Sequence, residues 1–264
     1  MSNKVTRRHE DLVAALQAGV RGSESLSRHL GVSLVTLRRD LIQLEAEGRL
    51  VRTFGGAVPV GGHEPELSLV QRKHLHREYK EAIARAAAAL IRPGETVIID
   101  GGTTTAALAE KLRGRSDLRV ITNNLQVMAT LSGEDGIELV MLGGAVRRLS
   151  LSTSGPLAEL TLRRLSAERV FLGTDGVVAG RGLCEASNDQ IQLKELMMAQ
   201  ASKIYVLADS SKLGRSAQQA WAPLDRPWTL ITDAKAEALQ LDPFRQLPTV
   251  TVLCASDDGS IADS

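Results

Sequence analysis

The chain has 264 residues, enough for one large domain or two unequal ones, and its 43% hydrophobic and 24% charged content is that of an ordinary globular protein. No apolar run approaches the ~18 residues of a membrane span, so no membrane partner is expected. The net charge is only +1 and aromatics make up 3%, which argues against base stacking as a mode of nucleic-acid binding, yet residues 1–60 hold nine Lys/Arg against six Asp/Glu.

The first unit reads as three short helices. Val5 to Ala18 carries Leu12, Val13 and Leu16 at helical spacing, and Gly19 ends it. Ser23 to Leu30 follows, with Leu26 and Leu30 one turn apart. Gly31 breaks the chain, Ser33 caps a third helix, and Gly48 stops that helix after Glu47. Leu50-Val51-Arg52 and Gly55-Gly56-Ala57 then form a small hairpin, which makes residues 1–57 a winged helix-turn-helix.

At about 100° per residue, Leu34, Leu37, Leu41 and Leu44 share one face of the third helix and are expected to pack inward. Val35, Arg39 and Gln43 project oppositely, with Thr36 close by and Arg38 on the flank; no acid appears before Asp40. Such a face suits the major groove of double-stranded DNA, where Arg bonds guanine or phosphate and Val and Thr meet thymine methyls. Ser33, Val35, Thr36, Arg38, Arg39, Gln43 and Arg52 are the candidate DNA contacts. The competing reading is an amphipathic helix whose outer face is merely solvated.

Residues 58–78 read as a linker, since Pro59, Gly61, Gly62 and Pro65 disfavour regular structure. Lys73, His74 and His76 lack metal-ligand spacing, and the histidines are taken as solvated. Residues 79–254 alternate helix and strand. Helices are expected at Glu81 to Leu90, from the 101–105 turn to Leu112, after Asn124, and at Leu157 to Leu165 and Gln190 to Ala201. Strands are expected at Thr96 to Ile99, Arg119 to Ile121, Ile137 to Leu142, Val170 to Leu172, Ile204 to Ala208, Leu230-Ile231 and Val250 to Leu253. Repeated strand–turn–helix units mean a mainly parallel α/β sheet covered by helices. Cys184 and Cys254 stand far apart, imply neither a disulfide framework nor a metal site, and are read as buried thiols. Residues 255–264 are polar and read as a flexible tail. The basic N-terminus has no apolar segment behind it, so no signal peptide is expected and the cytoplasm is the expected compartment.

Ligands of open α/β sheets bind beyond the carboxyl ends of the strands. Five such ends carry small polar or charged groups: Asp100 to Thr105, Thr122 to Asn124, Gly143-Gly144, Asp175-Gly176 and Asp209 to Lys212. Gly101-Gly102-Thr103-Thr104-Thr105 combines approachable backbone N–H groups, hydroxyls and a helix start, which describes a phosphate cradle. It lacks the Lys-Ser/Thr of a nucleotide P-loop and the spacing of a dinucleotide turn. A Thr-rich helix cap is the plainer alternative.

Ser33 to Leu41, Glu45 to Arg52 and Gly55-Gly56-Ala57 closely resemble the DeoR family of bacterial transcriptional regulators, with Leu37 where the family usually has Ile. Ile98 to Thr104, Val120 to Asn123, Gly143-Gly144, Gly155-Pro156, Asp175-Gly176 and Asp209 to Gly214 resemble that family's sensor domain, so the likeness runs along nearly the whole chain. The resemblance implies a sensor similar in fold to ribose-5-phosphate isomerase that binds a phosphorylated sugar or polyol. It implies that Gly102 to Thr105, with Gly101, hold the phosphate, while Asp100, Asn123, Asp175, Glu185, Lys194 and Lys212 contact the sugar or close the site. It calls for no cofactor and no metal. It further implies a homo-oligomer, dimer or tetramer, that represses a sugar or polyol utilisation operon and leaves DNA when the effector binds. A sugar-phosphate isomerase with a DNA-binding arm is the competing enzyme reading, since Asp175, Glu185 and Lys194 include acid–base groups. A DNA-binding module on a purely structural oligomerisation domain is the third.

Overall fold

The computed structural model describes the chain apart from residues 1, 2, 18, 19, 21, 48, 54, 55, 60–67, 217, 257, 258 and 264; of 3, 4, 17, 51–53, 58, 59 and 261–263 it describes the backbone alone. The expected stops at Gly19 and Gly48, the turn at Gly55, the breakers Gly61, Gly62 and Pro65, and the side chain of Arg52 lie outside the described residues.

Three helices open the chain: α1 (Asn3–Gln17), α2 (Ser23–Leu30) and α3 (Leu34–Ala46). The antiparallel strands β1 (Leu50–Thr53) and β2 (Gly56–Pro59) follow, with Arg52 opposite Ala57. Gly31 ends α2 in the left-handed region at φ 63°, and the Ser33 hydroxyl accepts from Thr36 N at 3.2 Å, so the turn between α2 and α3 is built by two local devices. Leu12, Leu16, Leu26, Leu37, Leu41, Leu44, Leu50 and Ala57 make the core of this unit. Leu34 is the exception to the inward face of α3. It is 50% exposed and occupies the first helical position. Asp40 takes its place inside.

Part of the expected linker is helical. Ser68 and Gln71 form a capping box, and α4 (Leu69–His74) runs from it to Leu75. His76 adopts φ 54° and stacks on Tyr79 with ring centroids 5.4 Å apart, so it is half-buried rather than solvated. From there α5 (Arg77–Ala89) enters the second unit, four residues earlier than its apolar periodicity suggests.

The remaining elements are β3 (Thr96–Ile99), α6 (Thr103–Leu112), β4 (Leu118–Thr122), α7 (Leu125–Leu131), β5 (Ile137–Met141), β6 (Ala145–Arg147), β7 (Ser152–Ser154), α8 (Pro156–Leu162) and β8 (Ala167–Leu172). They continue as β9 (Gly176–Val178), β10 (Gly182–Glu185), α9 (Asn188–Ala199), β11 (Ala201–Leu207), β12 (Ala220–Ala222), β13 (Trp228–Asp233), α10 (Ala238–Arg245), β14 (Val250–Ala255) and β15 (Ile261–Asp263). The main sheet has the order β15-β14-β13-β11-β8-β3-β4-β5, parallel except for β15 against β14. Thus residues 261–263 of the expected tail pair with the sheet edge. Ala201 belongs to β11, paired with Ala167, rather than to the helix before it.

Val97 and Ile99 point into one apolar layer beneath α5, α6 and α7; Ile98 points into the other, beneath α8, α9 and α10. A strand buried on both faces has no polar alternation, which is why 96–99 reads as a continuous apolar run. Two small sheets, β12-β10-β9 and β6-β7, sit outside the main one.

Candidate functional site

The strand order changes direction at β3. From it the chain moves out to β4 and β5, then returns to place β8 on the other side. Loops leaving β3 and β8 therefore diverge and open a crevice beyond their carboxyl ends. A pocket occupies it, lined by Asp100, Gly101, Gly102, Thr103, Thr104, Asn123, Asp175, Glu185, Lys194 and Lys212 among the residues expected from sequence. Thr105 is not among them. It is fully buried and its hydroxyl donates to Gly102 O at 3.0 Å, since at the third position of α6 its side chain faces back into the protein.

The cradle is shaped by close backbone approach. Gly102 has φ 148°, a region that favours glycine, and a Cβ on Gly173 would lie 2.9 Å from Gly101 O. Thr103 and Thr104 open α6 with hydroxyls that make no hydrogen bond to any described residue. Asn124 ties the turn down, donating to Gly102 O at 3.0 Å. An anion seated here meets a helix N-terminus and two uncommitted hydroxyls.

On the opposite wall, Lys194 from α9 is fully buried and donates to Asp100 Oδ2, to Gly173 O at 2.7 Å, and to Glu185 Oε1 at 3.1 Å. Three acceptors thus engage the three donors of its ammonium. Burial disfavours that charge, but Asp100 and Glu185 outweigh burial and raise the lysine pKa. Glu185 reaches the pocket because β10 pairs with both β9 and β12. Burial, helped by Asp175 and Asp100 against the pull of Lys194, pushes its carboxyl up to about 8. Its second oxygen accepts from Gln190 Nε2 at 3.1 Å. Asp175 Oδ2 and Asn123 Oδ1 are buried without a hydrogen-bond partner among the described residues, although Asn123 Nδ2 donates to Thr153 O at 3.0 Å. Unpaired buried acceptors of this kind call for a donor from water or from a ligand.

Several lining residues escape sequence reasoning. Lys80 and Arg72 come from α5 and α4; Ser150, Ser152 and Ser154 come from β7 and the turn before it, whereas Asp209, after β11, belongs to a strand end the sequence marks. Lys80 carried a signal: it shares a helix face with Ala84 and Ala87, all buried. The charge of Lys80 is penalised by burial, opposed by Asp209 and reinforced by Lys212 and Arg72, so its pKa falls to about 8.

On α3, Val35 is 80% exposed, and Arg38 and Arg39 are exposed without an ion-pair partner among the described residues. Thr36 is half-buried beside the Ser33 hydroxyl, 2.9 Å away, and Gln43 Nε2 donates to Glu47 Oε1 at 3.1 Å. Asp40 accepts from Arg8 Nε at 2.6 Å and Arg8 Nη2 at 2.8 Å, with His9 Nε2 at 3.2 Å. The one acid in the middle of α3 is therefore turned inward and paired, and the outer face of 34–44 carries only neutral and cationic groups.

A helix-turn-helix with a cationic outer face, joined to an α/β unit with a polar ligand pocket, defines a DNA-binding transcriptional regulator with a sensor domain. The DeoR-like helix-turn-helix domain matches residues 8–60, and the DeoR C-terminal sensor domain matches residues 75–234. The HTH-type transcriptional regulator GlpR of Haloferax volcanii is 38% identical over 83% of this chain and 85% of its own. The lactose phosphotransferase system repressor of Lactococcus lactis is 33% identical over 84% and 88%. The glycerol-3-phosphate regulon repressor of Escherichia coli is 32% identical over 88% and 92%. Among solved structures, ribose 5-phosphate isomerase A of Methanocaldococcus jannaschii matches half of this chain and 52% of its own, at 19% identity and TM-score 0.38. The chain belongs to the DeoR family of transcriptional regulators.

Proposed function

We propose that this regulator is a cytoplasmic repressor of a sugar or polyol utilisation operon, and that a phosphorylated sugar or polyol bound in the β3–β8 pocket releases it from DNA. One observation carries the reading. The pocket has two chemically distinct ends, the free hydroxyls of Thr103 and Thr104 at a helix start and the unpartnered acceptors Asp175 Oδ2 and Asn123 Oδ1. The first end suits a phosphate and the second suits ligand hydroxyls. Asp100, Glu185 and Lys194 form the fixed floor between them, and Lys212 adds positive charge at the rim. The sugar-linked names of two relatives agree with this chemistry.

The test is a calorimetric titration with a panel of phosphorylated sugars and polyols. One member of the panel is expected to bind, and Thr104→Val is expected to weaken it at least tenfold. Equal binding to Thr104→Val, or no binding by any member, would remove the phosphate end of the site. The same pocket performs no catalysis in this reading, because Lys194 and both oxygens of Glu185 are engaged with one another or with Asp100, Gly173 and Gln190. Aldose–ketose exchange by the purified protein, abolished in Glu185→Gln, would favour an enzyme instead. The repressor is read as a dimer or tetramer that sets paired α3 helices, with Ser33, Val35, Thr36, Arg38, Arg39, Gln43 and Arg52, against successive turns of operator DNA.

A further inference from the structure

The only stretch of chain between the DNA-binding unit and the sensor passes through α4, and α4 forms part of the pocket wall. Arg72 and Leu75 line the pocket beside the Gly-Gly-Thr-Thr turn. Arg72 Nη2 donates to Leu149 O, in the segment leading to β7. Lys80, one turn into α5, is 6% exposed and lines the same pocket. Its ammonium donates to Arg72 O and to Leu75 O, the latter at 2.8 Å. It thereby holds the last turn of a six-residue helix, at the end where helical donors for the backbone carbonyls run out. A helix of that length is unstable without such tertiary support.

We propose that Lys80 is the coupling residue of this regulator: in the free protein its ammonium fastens the end of α4, and the phosphate group of the effector takes that ammonium when it binds. The inference rests on the reading of the pocket as a phosphate sensor. Two neutral carbonyls hold the cation in the free state. A phosphate dianion offers charge-assisted bonds about twice as strong, and the burial of Lys80 limits their screening by solvent. Once Lys80 turns to the anion, Arg72 O and Leu75 O lose their donor and α4 loosens. The loosened segment directly precedes the sensor and follows the DNA-binding unit, so effector occupancy changes how freely the two move. Of the other charges acting on Lys80, Asp209 and Lys212 belong to the sensor and stay with it, while Arg72 sits on α4 itself. The ligand's differential contact with the two states is the Lys80–phosphate bond itself.

The test is hydrogen–deuterium exchange of the full chain with inorganic phosphate as probe, against chloride at matched ionic strength. Phosphate is expected to slow exchange across 100–105 and to speed it several-fold across 69–76. Lys80→Met is expected to speed exchange across 69–76 with no phosphate present and to leave no further response to it. Protection of β3 and β8 in that variant reports whether the sensor is folded, and the wild-type measurement stands without any variant. Slowing at 100–105 with 69–76 unmoved or slowed would overturn the coupling role of Lys80 and leave the pocket reading intact. No slowing at 100–105 would overturn the pocket reading and the proposal together.

Discussion

Each arginine of α3 has a different expected signature. Arg39 projects from the middle of the outer face, so Arg39→Ala is expected to cost about 1–3 kcal/mol and to relax base preference at one operator position. Arg38 lies on the flank, where the proposed docking would turn it toward phosphates. Arg38→Ala should weaken binding evenly across sequences and lower the salt slope by about one. Fluorescence anisotropy on operator and scrambled DNA, at several salt concentrations, separates the two; identical behaviour would discard the assignment of faces. In the pocket, Lys80 and Glu185 both titrate at about 8. Raising the pH through that value removes the positive charge of Lys80, which lies near Asp209, Lys212 and Arg72. It also adds a negative charge on Glu185, beside Lys194, Asp175 and Asp100. Both changes disfavour an anion, so phosphate affinity is expected to fall between about pH 7 and 9, and an affinity that held or rose would contradict the charge assignment. Lys80→Met should flatten part of that profile.

Between elements, the most consequential contact is Arg8 on α1 with Asp40 on α3. Burial raises the carboxyl of Asp40, but hydrogen bonds from Arg8 and His9, with their charges, bring it below the usual range. Arg8→Ala leaves that carboxylate buried with His9 alone, and is expected to destabilise the N-terminal unit by on the order of 3 kcal/mol. Asp40→Ala should cost less, because Arg8 keeps access to water. Hydrogen exchange in α1 and α3 would measure both, with the sensor as internal control. This contact also marks where sequence reading stops. The positions of α2, α3 and α6 were legible because Gly31, Ser33 and Gly101-Gly102 impose local conformations. The strand ends were legible because small polar residues interrupt apolar runs there. Asp40 sits at helical spacing with Leu37 and Leu44, yet an acid gives no sign of facing inward when its partner lies 32 residues away and has no local mark. β10 was illegible for the same reason. Gly182-Leu183-Cys184-Glu185 has no alternation, and it becomes a strand only by pairing with 176–178 and 220–222. Thr105 shows the opposite error, in which a run of three identical residues hid a change of direction within one helical turn.

At the scale of the whole molecule, the regulator is two cores joined through a segment that belongs to one of the two ligand sites. If an effector in the pocket releases the protein from DNA, as proposed, the two bindings are reciprocal: operator DNA then weakens effector affinity by the same factor that effector weakens operator affinity. That reciprocity has a practical side for anyone building hybrid regulators. A boundary drawn at the start of the alternating strands, near Tyr79, would cut Arg72 and Leu75 away from the cavity they enclose, and would graft a foreign wall onto a sensor tuned to its own. Crossovers placed before Ser68 keep the capping box, α4 and the Lys80 contacts with their native sensor, and should yield chimaeras that keep their inducer.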